Sequence, residues 1–337
     1  MKPTPATLAT LLLPLFPLLP LAASANDGIG AVGAGGIVFH KTDAIAMKKE
    51  VLDVSHRRIS VDYEFVNESA ADVEETIVFP LPAYPAFEQV SDSYYGQPDG
   101  FSIAVDGKPV RFDTVVQALL DGVDVTARLR KLGLSDAQIA YHPSFGKQAG
   151  VAPLSARQRQ QLAGSKLYGA GQTGDTGPLW EVQINYVWKQ KFPSNKVVRV
   201  HHAYRPFVAA GPGESGMDAD TAKRYCADAA FLTSWNRLAA RHGDPGGYWL
   251  NAAKVAYILK TGNTWKRGIE DFTLNVRKDD PAELVSLCFP GTFRKIDAKT
   301  YQVRLRNFKP AQDLDVYFGN VGAEDGANVG RMPVLRK

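Results

Sequence analysis

The sequence predicts a mainly β protein: two antiparallel β-sandwich-like domains, with a partly helical insertion in the first and a helix opening the second. Three observations carry this. Apolar and polar residues alternate in many short segments, the period-two signature of half-buried strands. Turn residues separate those segments, and the 337-residue chain holds 30 Gly and 21 Pro. The regular strand–helix alternation of a doubly wound parallel sheet is missing.

The first 25 residues read as an export leader. Lys2 is the one charge before Asp27, Leu8 to Ala22 is apolar, and Ala23-Ser24-Ala25 is a small-residue cleavage pattern. A membrane anchor needs ~20 apolar residues in a helix. This run is shorter and contains Pro14, Pro17 and Pro20, each of which removes a helix hydrogen bond. Cleavage after Ala25 is therefore expected, leaving Asn26 as the first residue. No cysteine follows the cut to take a lipid, and no later segment is apolar and long enough to span a bilayer. The mature chain is expected in the periplasm or secreted into the medium.

Residues 26–212 are expected to form the first sandwich-like domain. Ile45, Met47 and Leu52 can pack inward from one strand. Ile59, Val61, Tyr63 and Phe65 alternate with polar neighbours, as do Trp180, Val182, Ile184, Tyr186 and Trp188, and then Val198, Val200, His202 and Tyr204. Asp106-Gly107, between Ile103, Val105 and Val110, Phe112, supplies the positive φ angles of a tight hairpin. Pro80 and Pro82 cannot donate ladder bonds, so they end a strand and release an aromatic loop. Residues 117–177 break the pattern. Leu119, Leu120, Leu129, Leu132 and Leu134 have helix-like spacings, and Ser135 with Gln138 and Ser155 with Gln158 fit capping boxes. Gly169 to Pro178 reads as loop.

Residues 213–337 are expected to form the second domain. It opens with a helix from about Asp218 to Arg241, which the Gly- and Pro-rich stretch from His242 to Gly247 stops. Strands follow, with Phe272, Leu274 and Val276, then Tyr301, Val303 and Leu305, then Leu314, Val316 and Phe318 facing inward.

Function is less legible. A net charge of +4 is too small for a nucleic-acid face, and two cysteines exclude a four-cysteine zinc site. Gly28-Ile-Gly30-Ala-Val-Gly33 matches a dinucleotide fingerprint in letters, but no strand precedes it and a strand-like segment follows. Gly211-Pro-Gly213-Glu-Ser-Gly216 loses an amide at Pro212 and has no parallel βαβ unit around it. His201 and His202 are strand neighbours and point to opposite faces, so they cannot share a metal; His202 falls on the core face. His40, His56, His142 and His242 are scattered, and HExxH, GxSxG and SxxK motifs are absent. No catalytic residue, cofactor or metal is assigned. Tyr84, Phe87, Tyr94, Tyr95, Tyr248 and Trp249 are loop aromatics that could stack on a sugar or peptide, or simply cover one end of a sandwich. The leading expectation is non-catalytic binding or scaffolding of an envelope protein or glycan through sandwich loops. The alternative is a hydrolase of envelope glycans or peptides, since two carboxylates or a dispersed triad can assemble without a motif. In an oxidising compartment Cys226 and Cys288 are expected to be bonded, stapling a predicted helix to a predicted strand; the alternative is two buried free thiols.

One resemblance covers about residues 26 to 320. Asn26-Asp27-Gly28, Gly35-Gly36-Ile-Val-Phe39, Tyr63-Glu-Phe65-Val-Asn67 and Val78-Phe79-Pro80-Leu81-Pro82 come first. His202-Ala-Tyr204-Arg-Pro206, Tyr225-Cys226, Tyr257-Ile-Leu259-Lys-Thr261-Gly-Asn-Thr-Trp265 and Ser286-Leu-Cys288-Phe289-Pro290 follow. In order and kind these resemble the bacterial exported proteins of domain-of-unknown-function family 4424. The resemblance implies export, a β-rich fold and a Cys226–Cys288 bond, and no reaction, cofactor or ligand.

Overall fold

The computed structural model describes residues 26–33, 36–86, 93–94, 97–98, 100–140, 151–170, 176–206, 208–210, 217–241 and 250–322. Residues 1–25, with the expected cleavage site after Ala25, lie outside them.

The fold is mainly β. In the first half the principal strands are β1 (Gly28–Gly33), β2 (Gly36–Phe39), β3 (Ile45–Val54), β4 (Ile59–Asn67), β5 (Val73–Pro80), β6 (Ser102–Val105), β7 (Asp113–Leu120), β8 (Glu181–Phe192) and β9 (Val197–Tyr204). In the second half they are β10 (Val208–Ala210), β11 (Ala252–Tyr257), β12 (Ile269–Arg277), β13 (Leu284–Leu287), β14 (Thr300–Phe308) and β15 (Leu314–Gly319). These principal strands form three sheets. One runs β7-β8-β5-β1-β2, with short edge strands at Val123–Asp124 and Tyr84–Pro85. An eight-stranded sheet runs β6-β9-β4-β3-β12-β14, flanked by Lys108–Pro109 and Arg294–Lys295. A four-stranded sheet runs β10-β11-β15-β13.

The eight-stranded sheet is the common layer. Its inner face meets the first sheet through an aromatic stack. Phe65 packs edge-on to Phe192, Trp188 edge-on to His202, and Phe79 lies against both His202 and Tyr204. The four-stranded sheet meets the same layer where Tyr257 reaches Tyr63 and Phe318 meets His56. The outer face is polar and carries ion pairs such as His201–Asp62, Arg199–Glu64 and Arg304–Asp271. A sheet apolar on one face and solvated on the other alternates cleanly, which is why the period-two reading located its strands.

The eight-stranded sheet also crosses the position where the sequence suggests a domain boundary. β3 of the first half and β12 of the second are neighbours, in parallel, with Leu52 opposite Leu274 and Val54 opposite Val276. This is a parallel contact inside an otherwise antiparallel sheet.

Several local expectations need correction. Leu119 and Leu120 belong to strand β7, which pairs with β8 from Asp113 to Leu119. Helical structure in the insertion begins later, at α1 (Thr126–Lys131), α2 (Asp136–Ala140) and α3 (Ala156–Ala163). Both capping boxes form there. Ser155 Oγ accepts from Gln158 N at 3.2 Å while Gln158 Oε1 accepts from Ser155 N at 2.8 Å, and Ser135 and Gln138 exchange the same two bonds. The Gly169–Pro178 stretch is not all loop, because Tyr168–Ala170 and Thr176–Pro178 pair antiparallel. The single helix expected from 218 to 241 is two, α4 (Ala219–Arg224) and α5 (Ala229–Arg241). The break falls at Cys226, which adopts φ 54°. The expected Asp-Gly hairpin is present, with Asp106 at φ 48° and Gly107 at φ 77°.

Candidate functional site

A groove of 660 Å³ lies between α5 and strand β13. Asp228 starts α5 by accepting a hydrogen bond from Phe231 N at 2.7 Å. Phe231, Trp235 and Ala239, spaced by four, are buried and pack against the four-stranded sheet through Tyr317, with the Trp235 ring 5.8 Å away. Strand β15 is therefore covered on both faces, by α5 on one and by the main core on the other.

Anchoring one helix face aims the adjoining one. Ser234, Arg237 and Arg241, at i, i+3 and i+7, line the groove from α5. Phe293, Lys295 and Tyr301 line it from the far side. Arg237, Arg241 and Lys295 are exposed and form no ion pair among the described residues. Lys278 also borders the groove but is 8% exposed, and its ammonium donates to the Glu283 carbonyl at 2.9 Å. Burial pulls the pKa of Lys278 down, and the neighbouring Lys295 adds to that. The mobile cations are thus two arginines and one lysine beside two aromatic rings. The arrangement can receive an anionic group and a flat or apolar body together.

Cys226 lies at one edge of the groove and is bonded to Cys288, as the resemblance implies. The bond ties the α4–α5 junction to the segment just after β13.

Two polar clusters lie away from the groove's mouth. In the first, His56 Nε2 is 3.0 Å from Glu283 Oε1 and 3.5 Å from Asp279 Oδ2, a spacing that could hold a metal ion. Both carboxylates already have other work. Asp279 pairs with Arg57, and Glu283 Oε2 accepts from Asp279 N at 3.0 Å. The set is well matched to clamping the 278–283 turn against His56.

The second cluster is fully enclosed between the sheets. Asp27 is buried and lies 3.0 Å from His202 Nε2 through either carboxylate oxygen. Burial raises the Asp27 pKa, and His202 opposes the rise. Asn26 Nδ2 donates to Glu50 Oε2 at 2.8 Å, and Tyr63 donates to Asn26 Oδ1 at 2.6 Å. Tyr63 and Tyr257 hydroxyls are 2.9 Å apart, and Trp265 Nε1 donates to the Asp27 carbonyl at 2.7 Å. Burial raises Glu50 to about 8, an Asn26 hydrogen bond opposes this, and the nearby Asp27 reinforces it.

Glu50 reaches the interior because of a bulge. The β3–β4 register shifts between Met47 and Lys49. Ile45 and Met47 face inward before it, and Glu50, Leu52 and Val54 face inward after it. A single extra residue changes which parity points to the core. Asn26, Asp27 and Glu50 were not picked out as a polar centre by sequence reasoning. The available signal was a lone Glu on the same parity as Leu52.

The sequence-selected aromatics fare unevenly. Tyr84 is buried and its hydroxyl donates to the Ala140 carbonyl at 2.8 Å. Tyr94 belongs to the Ser93–Tyr94 strand, but its side chain, like Phe87, Tyr95, Tyr248 and Trp249, lies outside the described residues. Tyr84 is not among the residues that line the groove. Gly28 and Gly30 of the dinucleotide-like motif lie in β1, where a Cβ at Gly30 would come 2.9 Å from Val78 Cγ2. Their role is close packing in a strand. Gly211 to Gly216 lies outside the described residues, as do His142 and His242.

The model of domain-of-unknown-function family 4424 matches residues 25–317. The chain belongs to this family. Among solved structures, it is similar to a provisionally named nutrient-binding protein from Legionella pneumophila, with 17% identity and a TM-score of 0.40, over 88% of this chain and 72% of that one. It is also similar to a mutant two-domain M1 zinc metallopeptidase crystallised with L-tryptophan, at 8% identity and a TM-score of 0.24, over 83% of this chain and 44% of that one. No functionally curated protein matches the sequence. Among the described residues, no helix is long and apolar enough to cross a membrane.

Proposed function

We propose that this family member is exported and works in the cell envelope by binding rather than by catalysis, with the α5 groove as its ligand site. One observation carries this reading. Arg237, Arg241 and Lys295 stand without ion-pair partners among the described residues, beside the Phe293 and Tyr301 rings in a ligand-sized groove. The ligand class that fits is an anionic saccharide or peptide, bearing carboxylates or phosphates, with a flat or apolar portion to lie on the rings. Export rests on the leader-like first 25 residues, and the Cys226–Cys288 bond is consistent with an oxidising compartment.

A hydrolase would need acidic groups converging in the groove. The two carboxylates that border it are engaged, Asp228 at the start of α5 and Glu283 against His56. This favours binding over turnover.

Calorimetric titration of the exported protein with pyrophosphate, citrate and an oligogalacturonate tests the proposal. At least one should bind, with affinity falling as salt rises. Arg237→Glu with Arg241→Glu should weaken it by about tenfold or more, at ~1.4 kcal/mol per tenfold. Turnover of a glycan or peptide panel, or binding indifferent to both substitutions, would count against it.

A further inference from the structure

The buried centre contains an acceptor with nothing to accept. Glu50 is 0% exposed, Oε2 is held by Asn26 Nδ2, and Oε1 has no hydrogen-bond partner. A buried carboxylate oxygen without a donor is costly and calls for one. One donor in the same chamber is the backbone nitrogen of Asn26, whose side chain holds Oε2. The side chain of Asn26 itself spans from that nitrogen to Glu50, and the nitrogen already donates to Thr261 Oγ1. Thr261 in turn donates to the Asn26 carbonyl. As a peptide nitrogen, Asn26 N has one hydrogen, and Thr261 uses it. As a chain terminus it has three.

We propose that removal of the leader after Ala25 creates an α-ammonium on Asn26 that docks in this chamber against Glu50, so that processing completes the core. The inference rests on the export reading above and is independent of the groove. The covalent step is hydrolysis by a signal peptidase: one water is consumed, the Ala25–Asn26 bond breaks, and an Ala25 carboxylate and an Asn26 ammonium result. Asp27 and Glu50 face His202 and the new ammonium, with the neutral hydroxyls of Tyr63, Tyr257 and Thr261 completing the lining.

The pH dependence separates docked from undocked chains. Without an ammonium, Glu50 keeps its raised folded pKa of about 8, so stability falls as pH rises from the unfolded value of 4.5 towards 8. With the ammonium, Glu50 stays ionised at no such cost. The ammonium's folded pKa then exceeds its unfolded value of about 8, so its contribution is full below about pH 8 and is lost above that. Asp27, His202, Tyr63 and Tyr257 are common to both forms.

The experiment compares the exported natural chain with one carrying two glycines inserted between Ala25 and Asn26, each with and without Glu50→Gln. The insertion should lower Tm by about 5–10 °C near neutral pH. The natural form should hold its Tm from pH 5 to about 8 and lose it above, while the extended form loses it across that range. Glu50→Gln should cost the natural form most of the gap and cost the extended form little. Equal Tm values, parallel pH profiles or equal effects of Glu50→Gln would overturn the docking. Should the extended chain fail to accumulate, acylation of the natural chain's α-amine decides. The amine should be protected while folded, and reaction at the unfolded rate would overturn docking alone. N-terminal sequencing that finds a start other than Asn26 would overturn the processing step.

Discussion

Gly319 occupies a place where a methyl group has no room. A Cβ there would lie 2.6 Å from Trp235 Cζ3 and 3.1 Å from Cε3, ring atoms of a residue that is itself 0% exposed. Gly319→Ala must push α5 off the sheet, and it should destabilise by about 1–3 kcal/mol. An unchanged denaturation midpoint would contradict this packing. At the other end of the core, Asp27→Asn should cost about 1–3 kcal/mol, because His202 Nε2 loses its carboxylate hydrogen-bond partner in a dry interior. Chemical denaturation measures it, and a loss below 1 kcal/mol would show that the pair is not interacting as described. At this scale the sequence was partly legible. The inward parity of His202 could be read from Val198, Val200 and Tyr204. The inward turn of Glu50 could not, because it depends on a bulge between Met47 and Lys49 that pairing with β4 creates.

Helix α5 shows what local sequence does and does not specify. Its apolar stripe is clear, and so is the absence of Gly or Pro before His242. The break between α4 and α5 was hidden, since Tyr225-Cys226-Ala227-Asp228 contains no strong helix breaker. Two tertiary contacts bring it about: the bond from Cys226 to Cys288, and Tyr225, whose carbonyl accepts from Ser286 Oγ at 2.8 Å while its ring lies against Tyr317. Strand β7 was hidden for the opposite reason. Leu119 and Leu120 look helical in isolation, but β8 pairs with Leu119 and the Val123–Asp124 strand folds back on both leucines across the Asp121-Gly122 turn. The disulfide closes a separation of 62 residues, and a chain-entropy argument gives roughly 4 kcal/mol. Cys226→Ser with Cys288→Ser should remove about 2–4 kcal/mol and should raise hydrogen exchange in α4 and α5 first. Exchange in the two helices unchanged from the natural protein would contradict the stapling role.

On the scale of the whole molecule, the composition and alternation made the β-rich class readable, and the family resemblance extends along nearly the whole matched chain. The way the halves join was not readable. Parallel neighbours β3 and β12 are about 200 residues apart in sequence, and no local pattern encodes such a pairing. The consequence is a contiguous buried core with members from Ile29 through Val321. Calorimetry should therefore show one cooperative unfolding transition for the mature chain, and two well-separated transitions would contradict a shared core.

The groove proposed as the ligand site also belongs to this scale, because α5, β13 and the residues before β14 must come together to build it. The most direct test is native mass spectrometry of the protein purified from its native cells, alongside the Arg237→Glu, Arg241→Glu variant. The account predicts an anionic molecule that travels with the natural protein and is missing from the variant. The same bound species on both proteins, or none on either, would contradict it.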